Sequence, residues 1–184
     1  MQSARMAYIG KRVYVSIERH RLPSGVIADR EIVRFPQSVA VVPLLNDEEI
    51  VLIRQYRPAV RGWIYEVPAG IIEEGEDPAE TAGRELVEET GYEAGIMMKV
   101  LELYLAPGYS TELIHIFLAY NLKYVGEKPE LHEVIEVKQL KLSKVVDMIY
   151  SGELNDAKTV ASILFLVYNK SELLKNLSLI SNAN

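Results

Sequence analysis

The stretch Gly70-Ile71-Ile72-Glu73-Glu74-Gly75-Glu76-Asp77-Pro78-Ala79-Glu80-Thr81-Ala82-Gly83-Arg84-Glu85-Leu86-Val87-Glu88-Glu89-Thr90-Gly91-Tyr92 contains one complete helix with both ends marked. Asp77 is an N-cap residue, Pro78 suits the first helical position, and Glu80 completes a D-x-x-E capping box. Gly91 is the usual left-handed stop. On a wheel of 100° per residue, Ala79, Ala82, Leu86 and Thr90 share the side that belongs to a core. Glu85, Glu88 and Glu89 lie within about 100° of one another on a different side. Three carboxylates on one turn repel one another, and they sit near the helix C-terminus, where the macrodipole favours positive charge. Two unfavourable terms at one place need compensation. Bound metal ions supply it; the alternative is a solvated acidic face that holds nothing.

The surrounding charge sharpens the choice. From Glu66 to Glu93 there are ten acids and one base, Arg84, whereas the rest of the chain carries 19 bases and 16 acids. The net charge of −6 is therefore concentrated in one segment, the opposite of what a nucleic-acid binder needs. Carboxylates without a histidine cluster or a thiol point to a hard divalent cation, Mg²⁺ or Mn²⁺, rather than zinc. Such ions commonly bind through substrate phosphates, so a phosphate ester or anhydride is the natural substrate class. The absence of cysteine excludes disulfides, thiolate catalysis and zinc–thiolate sites.

Working outward, residues 12–20 and 28–34 read as extended, joined by the turn Leu22-Pro23-Ser24-Gly25. Residues 38–45 read as a buried strand, 50–56 as a β-branched strand, and 63–67 as a short one. Further strands are predicted at 99–105, 113–120 and 134–140. Two more helices are expected, from Ser143 to Gly152 and from about Asn155 to Tyr168, the latter with Val160, Leu164 and Val167 on one stripe. Strands, a helix, strands and helices in that order argue for a mixed-sheet α/β sandwich. At 184 residues with 49% hydrophobic and 25% charged content, the chain suits one domain with a small addition. The expected division is an N-terminal strand extension over 1–36 and a main domain over 37–184. No apolar run approaches the roughly 18 residues of a membrane span, and the N-terminus lacks a secretory apolar block. The expectation is a soluble cytoplasmic protein.

The 23 residues from Gly70 to Tyr92 resemble the Nudix box, G-x5-E-x7-R-E-U-x-E-E-x-G-U, with every fixed polar and glycine position matched. Tyr92 stands where an aliphatic residue is usual. The resemblance implies an α/β/α sandwich that hydrolyses a nucleoside diphosphate linked to another group. It implies Glu85 and Glu89 as principal metal ligands, Glu88 as an additional or supporting one, and the Ala69 carbonyl as a backbone ligand. Arg84 would hold the glutamates in place, with Glu76 orienting it. The flanks resemble the ADP-ribose pyrophosphatase branch: Arg54-Gln55-Tyr56-Arg57-Pro58, Glu66-Val67-Pro68-Ala69-Gly70, Ala106-Pro107-Gly108-Tyr109-Ser110-Thr111-Glu112 and Asp156-Ala157-Lys158-Thr159. In that branch the catalytic base often comes from a later loop, which puts forward Glu133 ahead of Glu130; Glu133 is also a further metal-ligand candidate, and His132 a weaker neighbour.

Substrate contacts follow from residue chemistry. Arg57 leaves a strand towards the box, either to take a diphosphate oxygen bidentately or to pair with the acidic segment. Glu112 is placed to accept from ribose hydroxyls, or is a solvated turn acid. Arg30 and Arg54 are weaker phosphate candidates. Adenine needs an aromatic platform, with Tyr14, Tyr109 and Phe35 all open. His20 and His115 read as strand residues without chemistry. The expected reaction is Mg²⁺-dependent cleavage of ADP-ribose to AMP and ribose 5-phosphate. Its rivals are another nucleotide sugar, such as GDP-mannose or ADP-glucose, and a non-catalytic nucleotide-binding module on the same fold. The branch also suggests a homodimer built through the N-terminal strands.

Overall fold

The computed structural model describes residues 3–126 and 134–183. In chain order the elements are β1 (Ser3–Ile9), β2 (Tyr14–Arg21), β3 (Ile27–Arg34), β4 (Ser38–Pro43), β5 (Glu49–Arg57), β6 (Gly62–Glu66), β7 (Ala69–Ile71), α1 (Pro78–Thr90), β8 (Tyr92–Tyr104), β9 (Leu113–Tyr124), β10 (Ile135–Lys141), α2 (Leu142–Ser151) and α3 (Ala157–Ala183). β1, β2 and β3 form an antiparallel sheet of their own. β10, β5 and β6 form a second antiparallel sheet, and β7, β4, β9 and β8 a third, in which β4 and β9 run parallel.

β4 explains the layering. All six of its residues are buried, as expected of a strand covered on both faces. Val39 and Val41 pack with Ala82 and Leu86 of α1, alongside Phe117 and Ala119 of β9. Ala40 and Val42, on the other face, join the larger core with Val145 and Met148 of α2 and Ile163 and Leu166 of α3. The period of two along one strand thus sorts its side chains between two helical layers. This is a mixed α/β fold with a separate N-terminal antiparallel sheet.

α1 starts and ends where its sequence dictates. Asp77 is extended and its carboxylate accepts from the Ala79 amide, Pro78 opens the helix, and Gly91 closes it at φ 74°. Its buried face differs from the wheel: Ala82, Leu86 and Thr90 are buried, but so are Thr81 and Glu89, whereas Ala79 in the first turn is exposed.

β8 and α3 also depart from the sequence reading. β8 begins at Tyr92, directly after the helix stop, because Tyr92–Met98 pairs with the far half of β9. α3 continues to Ala183, burying Leu173 and Leu177 in the larger core. Its buried stripe is Thr159, Ser162, Ile163 and Leu166, so the predicted stripe is corrected: Leu164 and Val167 are exposed. Among the described residues no helix is long and apolar enough to cross a membrane.

Candidate active site

Two carboxylates of α1 mesh with β7. The Ala69 amide donates to Glu89 Oε2 at 2.9 Å, and Glu89 is only 2% exposed. Gly70 lies against Glu85 so closely that a Cβ there would stand 2.0 Å from the carboxyl carbon. Only a residue without a side chain leaves that carboxylate its place.

Arg84 gathers the neighbouring acids. Its Nε and NH2 donate to Glu76 at 3.2 and 3.1 Å, and its NH1 donates to Glu85 at 2.8 Å and Glu88 at 3.0 Å. These bonds, those to Glu76 first, raise the guanidinium pKa further. In return, Arg84 first, then the Glu73 amide and the Thr81 hydroxyl, hold the Glu76 carboxyl at about 2. One cation thus restrains three side chains that would otherwise repel.

Around this cluster opens a cleft of about 480 Å³. Ala69, Gly70, Arg84 and Glu85 line it together with Arg57, Asp156, Lys158, Ser38, Glu112 and Ile114. Lys11 and Arg12 from the β1–β2 turn, with Tyr14 and Phe35, complete the rim. Arg57 lines the cleft while donating through Nε and NH2 to Glu66 at 2.6 and 2.9 Å. The salt bridge to the acidic segment is therefore formed, and those bonds raise its pKa. Burial pushes the Glu112 carboxyl above the ordinary carboxylate range, opposed by a 3.2 Å bond from Ser38 Oγ and by Lys158.

Other candidates are placed elsewhere. Arg30 is an exposed β3 residue bonded to the Asp29 carbonyl, and Arg54 pairs with Glu136 and stacks 5.0 Å over Trp63. Neither lines the cleft. Of the aromatic candidates, Tyr14 and Phe35 line it, whereas Tyr109 is exposed and uses its carbonyl to accept from Val33. His20 contacts Glu18, and His115 contacts Gln37 within the sheets. Glu133, Glu130 and His132 lie outside the described residues. Lys11, Arg12 and Lys158 were not singled out as cleft residues by the sequence reading. Only the Asp156-Ala157-Lys158-Thr159 motif carried a signal, and it assigned Lys158 no role.

The donor set can be tested against a metal. No group of three or more His, Asp or Glu side chains among the described residues is placed to hold an ion by itself. A hard divalent cation asks for less: one or two carboxylates, with substrate phosphates and water completing its shell. Glu85 on the cleft wall, with Glu88 and Glu89 on the same turn, fits that requirement.

Comparison with known proteins agrees with this geometry. The NUDIX domain model matches residues 34–163. An ADP-ribose pyrophosphatase of Bacillus subtilis (strain 168) is 39% identical over 161 residues, covering 86% of this chain and 87% of that protein. A GDP-mannose pyrophosphatase of Escherichia coli O139:H28 is 37% identical over 155 residues, covering 75% and 81% respectively. A crystal structure of an ADP compounds hydrolase superposes with a TM-score of 0.81 at 25% identity, covering 93% of this chain and 94% of that one. A glutamate-bearing helix locked to a glycine loop, a matching domain model and close relatives along most of the chain lead to one conclusion: this protein belongs to the Nudix hydrolase family.

Proposed function

We propose that the protein hydrolyses the pyrophosphate bond of ADP-ribose, releasing AMP and ribose 5-phosphate in a reaction dependent on Mg²⁺, with Mn²⁺ as a substitute. The observation that carries this reading is the cleft in which Glu85, Arg57, Glu112, Tyr14 and Phe35 face one space of about 480 Å³. That combination offers carboxylates for cations, a guanidinium for diphosphate, a carboxylate for hydroxyls and rings for a base. The 39% identity to an ADP-ribose pyrophosphatase supports the choice of substrate.

When bound, Mg²⁺ neutralises diphosphate charge and acidifies water so that it is nucleophilic at neutral pH. Glu85, Glu89 and Glu88, with the Ala69 carbonyl and Glu133, would hold it. Arg84 holds Glu85 and Glu88 in position. Arg57 steadies the charge that develops on the phosphoryl oxygens. Glu133 takes the proton from the attacking water; the water oxygen bonds to phosphorus as the P–O–P bridge breaks, and the bridging oxygen leaves with the other phosphate. Glu112, raised by burial, accepts from ribose hydroxyls.

The assembly proposed is a homodimer through the first 36 residues. Every residue of β1 is exposed, with Met6, Tyr8 and Ile9 among them. An edge strand of this kind is suited to pairing with a second copy, which would also give Arg30 a route to a neighbouring site.

A panel of ADP-ribose, ADP-glucose and GDP-mannose with Mg²⁺, products identified in H₂¹⁸O, tests the reading. AMP and ribose 5-phosphate from ADP-ribose, at the highest kcat/KM of the three, is the expected result. Preference for GDP-mannose would transfer the assignment to that nucleotide sugar, the activity named for the 37% identical relative. Binding of ADP-ribose without release of AMP would make the protein a binding module.

A further inference from the structure

Glu66 closes β6 at 1% exposure, the most deeply buried acid among the described residues. Neither the box nor the proposed reaction uses it. Its carboxylate receives Arg57 on both oxygens, and Lys158 Nζ donates to Oε2, the oxygen that also takes Arg57 NH2. Lys158 is itself 8% exposed and donates to Asp156 Oδ2 at 3.0 Å. Asp156 caps α3, accepting from the Thr159 amide at 3.0 Å and its hydroxyl at 2.6 Å. Thr159 Oγ1 in turn accepts from the Val67 amide at 2.9 Å, next to Glu66 in the chain. An unbroken polar chain therefore runs from the start of α3 through Lys158 and Glu66 to Arg57 at the cleft.

We infer that Lys158 is a positioning residue for Arg57. Burial alone would push the Glu66 carboxyl up; the Arg57 bonds and Lys158 outweigh it, so the carboxylate stays ionised. With Lys158 fixed to the helix cap, that carboxylate is held between strand and helix and does not turn to follow the arginine. The Arg57 fork is then aimed from behind, Nε and NH2 engaged by Glu66 and the NH1 side left out of that pair. Without Lys158 a single cation must neutralise a buried carboxylate, and Arg57 is drawn towards it and away from the substrate. The inference rests on the proposed reading of Arg57 as a diphosphate contact.

The test is a double-mutant cycle on kcat/KM for ADP-ribose at saturating Mg²⁺: wild type, R57A, K158M and R57A/K158M, with melting curves to establish folding. K158M is expected to lower kcat/KM about tenfold, less than the roughly 100-fold of a full misplacement by about 1 Å, because Glu66 still engages Arg57. In the R57A background the same change adds little, because the group it aims is gone. The Mg²⁺ concentration for half-maximal rate stays at the wild-type value, since Glu85, Glu88 and Glu89 are untouched. K158Q, which removes the positive charge but keeps a polar side chain, replaces K158M in the cycle if the latter does not fold and is held to the same outcomes. Multiplicative losses would overturn the inference, showing Lys158 acting on substrate directly or through the fold. So would wild-type kcat/KM in K158M, or R57A without effect. If the wild type cleaves another nucleotide sugar instead, the substrate assignment fails separately, and the cycle is read on the sugar that is cleaved.

Discussion

Gly70→Ala separates the demands of the fold from those of the site. The added methyl would lie 2.0 Å from both the carboxyl carbon and Oε1 of Glu85 and 2.5 Å from its Oε2. To reach an ordinary 3.4 Å contact, the carboxyl must retreat by about 1.4 Å. The atoms that move belong to the end of a flexible side chain, so the fold should absorb the change at about 1–3 kcal/mol, the usual cost of overpacking. For a chain of this size that lowers Tm by at most about 12 °C. The catalytic cost is larger in proportion, since misplacing a reacting or positioning group by about 1 Å is worth about 100-fold. Expected, then, is a folded protein whose kcat/KM for ADP-ribose is about 100-fold lower and whose Mg²⁺ requirement is raised. The assay is steady-state hydrolysis across a Mg²⁺ titration, with a thermal melt beside it. A folded variant with wild-type rate and Mg²⁺ midpoint would refute the argument that Glu85 is needed where Gly70 leaves it.

Three other outcomes follow from the same geometry. Glu85→Gln and Glu89→Gln should each reduce turnover by about two or more orders of magnitude, with circular dichroism unchanged, because charge rather than shape is removed; near-wild-type turnover at saturating Mg²⁺ would remove them as ligands. Glu76 titrates at about 2 in the folded chain against an ordinary 4.5, so its contribution to stability is present above the higher value and lost as pH falls through the lower one. Acid melts should thus show a steeper loss of stability in wild type than in Glu76→Gln over that window, and equal slopes would contradict the assignment. Asp77→Ala removes the bond to the Ala79 amide and should cost about 1 kcal/mol, or about 2–4 °C in Tm, while leaving KM in place; differential scanning calorimetry checks it.

Local chemistry explains which elements were legible in advance. Asp77, Pro78 and Gly91 act within one helical turn of themselves, so both ends of α1 could be read without knowing its neighbours. The same holds for β4 and β5, whose apolar and β-branched runs allow few other fates. The first half of β8 was hidden because Ala94, Gly95 and the two methionines carry little strand preference, and pairing with β9 decides it. The last turns of α3 were missed for a similar reason: Leu173 and Leu177 become core residues only when the larger sheet surface is there to receive them. β7, with three residues, exists through its pairing with β4.

The site divides along the same line. Residue types and spacing alone were enough for the capped helix and its cluster of glutamates, while the family and the role of the arginine among those acids followed from the resemblance of 23 contiguous residues to the Nudix box. What tertiary structure alone decided was the company these residues keep. Lys11 and Arg12 reach the rim from a turn near the N-terminus, Lys158 reaches Glu66 across 92 positions of chain, and Arg54 is taken up by Trp63 and Glu136 while Arg57 faces the cleft. Helix caps and i, i+4 neighbours are set by bonds a few residues long, whereas a cleft is closed by segments that meet only after the layers have packed.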